Sequence, residues 1–323
     1  MVSSFTIIVA DKYAPSVAEN LKQAGHNVIV DPSLKETSLT EALSQHQADI
    51  LMVRSTKVQQ EQLDASQNLK LVLRGGAGYD TINCQYAKEK GVRVCNTPGT
   101  NSVAVAEVAM GLVLSLDRFI PDNVIQARQG KWNKAQFSKA KGLKGQTIGL
   151  VGFGNIGKEV ATRAAAFGMN VLVWSRSLTP ELAQKHGVDF AASPMEVAER
   201  SDIVSIHCAN APETKGLCNA EFFSKMKEGA YFINTARAAV VVEQDLIDAM
   251  NNRGIRAGID VPANEPSTGS CDFESELTKH QNAYVTHHIG ASTSQASNAV
   301  GELACKVVDT FAREGEYIHC VNA

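Results

Sequence analysis

From residue 5 to about residue 96, short apolar runs alternate with segments whose apolar residues recur at helical spacing. The runs at 6–10, 27–30, 49–53, 69–73 and 92–95 read as strands. Between them lie amphipathic stretches at 16–24, closed by Gly25, and at 40–47, which opens on the capping residue Thr40 with no partner to complete a box. Alternating β and α predicts a parallel sheet covered by helices. Thr97-Pro98-Gly99-Thr100-Asn101-Ser102 breaks the pattern. An Ala/Val-rich helix is predicted over 103–116, then a second with Pro121 near its first turn and Gly130 at its end. Residues 131–145 are irregular and basic. A second β/α run follows, with strands predicted at 147–151, 170–174, 202–207, 230–234, 255–259 and 283–286. Thr179-Pro180-Glu181 opens one of its helices and Gly187 closes it; Ser193 to Glu196 reads as a capping box; Asn219 caps the next helix and Gly229 ends it. The last stretch, 294–311, is one amphipathic helix, expected to return to the first domain because six strands already fill a Rossmann order.

The second run opens with the chain's most informative stretch. The apolar strand 147–151 leads into Gly152-Phe153-Gly154-Asn155-Ile156-Gly157, and a helical pattern follows. Strand, G-x-G-x-x-G, helix is the dinucleotide-binding arrangement. Gly152 allows the tight turn, Gly154 keeps a side chain away from a pyrophosphate, and Gly157 lets the helix lie close to the strand. Asn155 and Ile156 begin the helix whose amides face the phosphates.

Composition narrows the setting. The chain has 323 residues, 44% apolar and 20% charged, which argues for ordered α/β cores rather than disorder. A net charge of −3 gives no reason to expect nucleic acid or an acidic surface as partner. The seven cysteines are scattered and form no C-x-x-C, so a reducing compartment and no structural metal are expected. The first residues lack the basic n-region and long apolar run of a signal peptide, and the apolar stretch 103–116 is short and contains Glu107. The expectation is a cytoplasmic protein without membrane contact.

An enzyme that moves hydride to or from a 2-hydroxy acid needs a positioned nicotinamide, a cation for the carboxylate and carbonyl, and a general acid/base. Candidates follow the strands of the second run, where open α/β sheets bind ligands. Arg237, just past the strand 230–234, can grip a carboxylate with two parallel hydrogen bonds, or is a surface loop arginine. His288, after the last strand, can carry a proton near neutral pH; the His287-His288 pair has no third ligand nearby to suggest zinc. Glu265 can stabilise the imidazolium that proton transfer creates, or belongs to an exposed turn with Pro266. Asp260 can accept from the nicotinamide carboxamide. After strand 170–174 stands Trp174-Ser175-Arg176-Ser177, with no acidic side chain for the ribose hydroxyls. Ser175 and Arg176 can hold a 2′-phosphate instead, which tilts the expectation from NAD toward NADP.

Together these motifs resemble the D-isomer-specific 2-hydroxyacid dehydrogenase family, essentially end to end. The resemblance runs through Val53-Arg54-Ser55, the stretch Arg74-Gly75-Gly76-Ala77-Gly78, Asn96-Thr97-Pro98 with Asn101-Ser102, and the glycine fingerprint. It continues through His207 and Thr214, the Arg237 turn, Asp260-Val261 with Glu265-Pro266, and His288 to Thr293. It implies Arg237, Glu265 and His288 as the catalytic set, with His288 rather than His287 as acid/base because His287 stands where the family usually has proline. It implies cofactor contacts at Gly152, Gly154, Asn155, Ile156, Gly157, Ser175, Arg176, His207, Thr214 and Asp260. It implies substrate contacts at Arg54, Ser55, Arg74, Gly76, Ala77, Gly78 and Asn101, the two arginines suiting a phosphorylated substrate. Gly76 and Gly78 would let backbone amides approach the substrate carboxylate. Ala238, Pro262 and Ala209 depart from the family's usual glycine, aromatic and proline, each reshaping the pocket without removing a charge.

The expected fold is α/β with two doubly wound parallel-sheet domains. A Rossmann-type cofactor domain over 100–288 is inserted into a flavodoxin-like substrate domain at 1–99 and 289–323, with a cleft that closes on substrate. The family's phosphoglycerate branch fits best. It implies NAD(P)-dependent oxidation of 3-phosphoglycerate in a homodimer paired through 103–116, without the regulatory domain of longer relatives. The alternatives are an NADPH-dependent glyoxylate or hydroxypyruvate reductase and, in another class, a nucleotide-sensing corepressor.

Overall fold

Every pairing between strands in the two sheets is parallel; the one antiparallel bridge among the described residues joins Cys95 to Cys320, outside those pairings. The computed structural model describes residues 3–266 and 270–323; Met1, Val2 and 267–269, which fall in the two expected domains, lie outside the described residues. The chain forms two units. One runs to Asn101 and includes Ser292–Ala323; the other is Ser102–Ala291, inserted between those parts.

The first unit holds five strands, β1 (Thr6–Val9), β2 (Asn27–Val30), β3 (Ile50–Val53), β4 (Leu71–Arg74) and β5 (Arg93–Asn96). Their order is β2-β1-β3-β4-β5, the flavodoxin-like winding. The chain steps one way from β1 to β2 and crosses back to β3, so the winding reverses between β1 and β3. All four β3 residues are buried, as expected of a strand covered on both faces. Helix Ser294–Glu314 belongs to this unit and buries Ala296, Val300, Ala304, Val307, Val308 and Phe311 along one face. It crosses helix Pro15–Gln23 at Gly301, where a Cβ would lie 2.6 Å from Val17 Cγ2.

The second unit holds seven strands: β6 (Thr147–Val151), β7 (Asn170–Trp174), β8 (Asp189–Phe190), β9 (Ile203–Ile206), β10 (Tyr231–Asn234), β11 (Arg256–Ile259) and β12 (Ala283–Val285). The order β12-β11-β10-β9-β6-β7-β8 reverses between β6 and β9. The fold class is therefore two doubly wound parallel sheets, the second Rossmann-type. β8 has no sequence signal, because two residues pairing at Leu172–Asp189 and Val173–Phe190 are too few to show a period. Among the described residues no helix is long and apolar enough to cross a membrane.

Two local expectations change. The helix expected from Thr40 starts at Glu36; Ser38 Oγ accepts from Lys35 N–H, and the Thr40 hydroxyl donates back to the Glu36 carbonyl from inside the helix. At Ser193, the hydroxyl accepts from Glu196 N–H, but the Glu196 carboxylate accepts from Ala192 N–H, one residue before the cap. Helix Ser102–Arg118 spends most of its apolar side chains on its own unit, with Ala106, Ala109, Met110, Leu112, Val113 and Leu116 buried among Ile148, Leu150 and Ile233.

Candidate active site

The second unit's reversal point is built around Gly152. Its φ is +111°, and a Cβ there would lie 2.6 Å from the Cys208 amide nitrogen and the His207 carbonyl carbon, so only glycine fits. Gly157 is equally constrained, its would-be Cβ lying 2.3 Å from the Gly152 oxygen. Gly154 differs. Among the described residues, its immediate neighbours aside, no atom lies within 4 Å of its would-be Cβ, and no side chain caps helix Asn155–Ala166 behind it. The protein's own packing does not require glycine at 154; the open approach to unfilled amides suits a phosphate. Asn155 is exposed there, while Ile156 packs on the core.

His207 follows β9 across the same reversal point. Its Nε2 lies 2.8 Å from Ser205 Oγ, while Nδ1 is buried with no partner among the described residues. Burial lowers its pKa to about 4, so the ring stays neutral. Arg176, exposed after β7 beside the half-buried Ser175, lies near enough for its charge to oppose the burial-driven rise of the Cys208 thiol to about 11. An open glycine, uncapped amides, an orphaned ring nitrogen and an exposed arginine together fit a dinucleotide.

Two expected cofactor contacts have other duties. The buried Thr214 hydroxyl accepts from Ala211 N–H at 2.9 Å and donates to the Ala209 carbonyl at 2.7 Å, stapling its own turn. Asp260, at the end of β11, is only 1% exposed. Its Oδ1 accepts from Thr286 Oγ1 at 2.6 Å and from Ile289 N–H at 2.9 Å, and its Oδ2 accepts from Gly290 N–H at 2.9 Å. Asp260 thus holds the turn that carries His288.

That turn needs holding. His288 has φ +51°, a left-handed conformation uncommon outside glycine, and its amide donates to the Asp260 carbonyl at 2.8 Å. The imidazole Nδ1 lies 2.8 and 3.0 Å from the two Glu265 oxygens. A carboxylate only accepts, so Nδ1 carries the hydrogen and Nε2 presents the lone pair. The pair stands open, with side chains 44% and 41% exposed. Glu265 is steadied through Ala263, whose amide donates to Glu243 Oε2 at 3.0 Å. Arg237 follows β10 in a turn fixed by the buried Asn234, whose carboxamide accepts from Ala236 N–H at 3.0 Å and donates to the Arg237 carbonyl at 3.1 Å. Its own Nη1 donates to the Ala236 carbonyl at 2.8 Å.

In the first unit, Arg54 and the exposed Ser55 follow β3, and Arg74 ends β4. Gly76, φ +140°, makes room for a side chain: a Cβ there would lie 1.7 Å from Arg74 Nη1. Ala77 is pinned by Asn96, whose carboxamide donates to its carbonyl at 2.7 Å; Gly78 follows, half-buried. Asn101 has a buried Oδ1 without a partner among the described residues. Asp11, Tyr13 and Asn234, which shape these turns, carry no signal of their own in the sequence because their partners lie in other segments or within generic turn spacing.

The fold and the second unit's site define a dinucleotide-dependent oxidoreductase. Residues 110–290 match the D-isomer specific 2-hydroxyacid dehydrogenase, NAD binding domain. The chain is 40% identical to the hydroxypyruvate reductase of Thermotoga maritima over 264 residues, covering 81% of this chain and 84% of that protein. It is 35% identical to the D-3-phosphoglycerate dehydrogenase of Bacillus subtilis over 320 residues, covering 98% of this chain but 59% of that protein, so it spans little more than half of that relative. Among solved structures it resembles the NAD+-bound 3-phosphoglycerate dehydrogenase of Entamoeba histolytica (TM-score 0.83, 27% identity, 99% of each chain). It also resembles the NADPH-dependent glyoxylate/hydroxypyruvate reductase of Sinorhizobium meliloti in complex with NADP and malonate (TM-score 0.83, 27% identity, 99% of this chain and 97% of that one). The chain belongs to the D-isomer specific 2-hydroxyacid dehydrogenase family of NAD-dependent oxidoreductases.

Proposed function

We propose that the chain oxidises the C2 alcohol of 3-phosphoglycerate. The observation that carries this is the charge distribution: Arg54 and Arg74 in the first unit, both close enough to act on the Tyr13 phenol, in addition to Arg237 in the second. A substrate with one carboxylate needs one guanidinium clamp; a phosphate asks for further cations. The curated D-3-phosphoglycerate dehydrogenases support the reading.

In this mechanism the first unit is the substrate domain (1–99 and 289–323) and 100–288 the cofactor domain. Gly154 and Asn155, on the turn and helix start that Gly152 and Gly157 shape, would hold the pyrophosphate, Arg176 and Ser175 would hold the adenosine end, and His207 would face the cofactor. NAD(P), when bound, supplies the hydride acceptor. His288 Nε2 takes the proton of the C2 hydroxyl, Glu265 keeps the ring turned and stabilises the imidazolium, and Arg237 holds the carboxylate and the developing carbonyl. Arg54 and Arg74 receive the phosphate, with Ser55, Gly76, Ala77, Gly78 and Asn101 shaping their surroundings.

A second reading rests on Arg176, exposed where an acidic side chain would favour NAD. It makes NADP(H) the preferred cofactor and glyoxylate or hydroxypyruvate the substrate, as in the Sinorhizobium meliloti reductase. Initial rates with NAD and NADP on 3-phosphoglycerate, and with NADH and NADPH on hydroxypyruvate and glyoxylate, separate the two. Phosphoglycerate turnover that is lost on replacing Arg54 or Arg74 supports the first reading. Turnover confined to the unphosphorylated acids with NADPH supports the second.

We also propose a cytoplasmic homodimer. Its support is the exposed apolar series Ile120, Val124, Ile125 and the 89%-exposed Trp132, which follows helix Ser102–Arg118. A monomer mass by light scattering at micromolar concentration would contradict it.

A further inference from the structure

We propose that Asp11 is the positioning residue for the substrate arginine Arg54, and through it sets the preference for a phosphorylated over an unphosphorylated acid. The proposal rests on the assignment of Arg54 to substrate made above.

Asp11 follows β1 and Arg54 follows β3, so the two face each other where the winding of the first sheet reverses. In doubly wound sheets this crevice is where ligands settle, and its backbone amides are the groups that hold anions. Here the anion is built in. Asp11 is 8% exposed, and its Oδ2 accepts from three consecutive amides: Arg54 at 2.6 Å, Ser55 at 3.0 Å and Thr56 at 3.0 Å. Three successive N–H groups converging on one oxygen fix the turn's backbone more tightly than any one bond, and each is charge-assisted. The Ser55 hydroxyl also donates to Asp11 Oδ1 at 3.4 Å, so the carboxylate holds side chain as well as backbone of this turn.

The next two residues extend the platform. The Lys12 carbonyl accepts from Arg54 Nη1 at 3.3 Å, fixing the guanidinium as well as the backbone. The Tyr13 hydroxyl donates to the Val53 carbonyl at 2.9 Å, and its ring fills the space beside Gly75, where a Cβ would lie 2.5 Å from the phenol oxygen. Burial pushes the Tyr13 phenol up while Arg54 and Arg74 both oppose the rise, which puts the two guanidinium groups around one ring. Residues 11–13 thus tie together the turn after β3 and the turn after β4. Asp11 needs no contact with substrate to do this.

The test compares Asp11→Ala and Asp11→Asn with the wild-type chain. Asparagine keeps an acceptor oxygen at nearly the same place without the charge, so it separates clamping from mere folding. Asp11→Ala is expected to raise KM for 3-phosphoglycerate about 10-fold or more, and KM for glyoxylate much less. NADH affinity, which belongs to the other unit, reports that the cofactor unit is intact, and unchanged exchange in β3 reports that the first unit is folded. Asp11→Asn is expected to recover most of the phosphoglycerate KM. Hydrogen exchange gives the second readout: the amides of Arg54, Ser55 and Thr56 lose protection in Asp11→Ala and retain it in Asp11→Asn, while β3 is unchanged. An unaltered ratio of the two KM values, or unaltered exchange at those three amides, overturns the proposal. Absence of turnover on any of these acids by the wild-type chain would overturn the proposed function instead, and the exchange comparison still decides whether Asp11 holds the turn.

Discussion

The two sheets reverse their winding at equivalent places and treat those places in opposite ways. In the second unit the crevice between β6 and β9 is left open: nothing approaches Gly154, no side chain caps the helix behind it, and His207 Nδ1 has no partner among the described residues. In the first unit the crevice between β1 and β3 is filled by the Asp11 carboxylate, with three amides spent on it. One winding rule can therefore yield a ligand site or a scaffold, and the difference is whether a side chain of the chain itself supplies the anion. A second aspartate repeats the device. Asp260 clamps the amides of Ile289 and Gly290 as Asp11 clamps those of residues 54–56. On the proposed function the first clamp steadies a binding turn and the second a chemical one, so damage near each should read out differently in kinetics.

The largest effect is expected at the chemical turn. Replacing His288 with alanine removes the Nε2 base and should lower kcat by about 10²- to 10⁴-fold while leaving NADH affinity within about twofold. An active His288→Ala protein, or one that loses cofactor equally, would erase the division of labour between the two clamps.

The open crevice has a cost at low pH. A histidine whose folded pKa of about 4 lies below the ordinary 6.5 is protonated first in the unfolded chain. Stability should therefore fall as pH drops from about 6.5 and level off near 4, by up to about 3 kcal/mol from this residue. Urea unfolding across pH 4–7, with His207→Asn beside the wild type, reads this. If both proteins lose stability in parallel, His207 is not held neutral by the fold.

A smaller effect would make the filled crevice behave like the open one. In Asp11→Ala the three amides surround a vacancy beside Arg54, so inorganic phosphate at millimolar concentration should raise its melting temperature by about 2–4 °C more than that of the wild type. An equal response in both proteins would mean that Asp11 does not occupy an anion cradle.

The parts of the molecule legible in the sequence are those whose signal is local. Continuous apolar runs such as 50–53 mark strands buried on both faces, and Gly152 to Gly157 carries its own flanking strand and helix. His288 and Glu265 stand 23 residues apart yet pair in the structure; their residue types suggested a carboxylate–imidazole pair against an exposed-turn reading, and the resemblance to a family favoured the pair. Asp11 shows the limit. It reads as an ordinary turn residue because its three amide partners lie 43 to 45 residues away. Asp260 and Thr214 were visible as polar residues past strand ends, but that position does not reveal whether a side chain faces a ligand or its own turn. Gly76 shows a related limit: a glycine marks a close approach without naming what approaches, and the chain's own Arg74 is one such group.

The contrast between the crevices is tested most directly at Gly154, where the protein's packing is indifferent to a methyl group and a dinucleotide would not be. NADH titration by fluorescence, with thermal melting, on wild type and Gly154→Ala is the decisive measurement. The expected result is one NADH bound per wild-type chain, with an affinity at least about tenfold weaker in Gly154→Ala and melting temperatures within about 2 °C of each other. Equal affinity in the two proteins would contradict a pyrophosphate seated on that glycine, and with it the open crevice as the cofactor site.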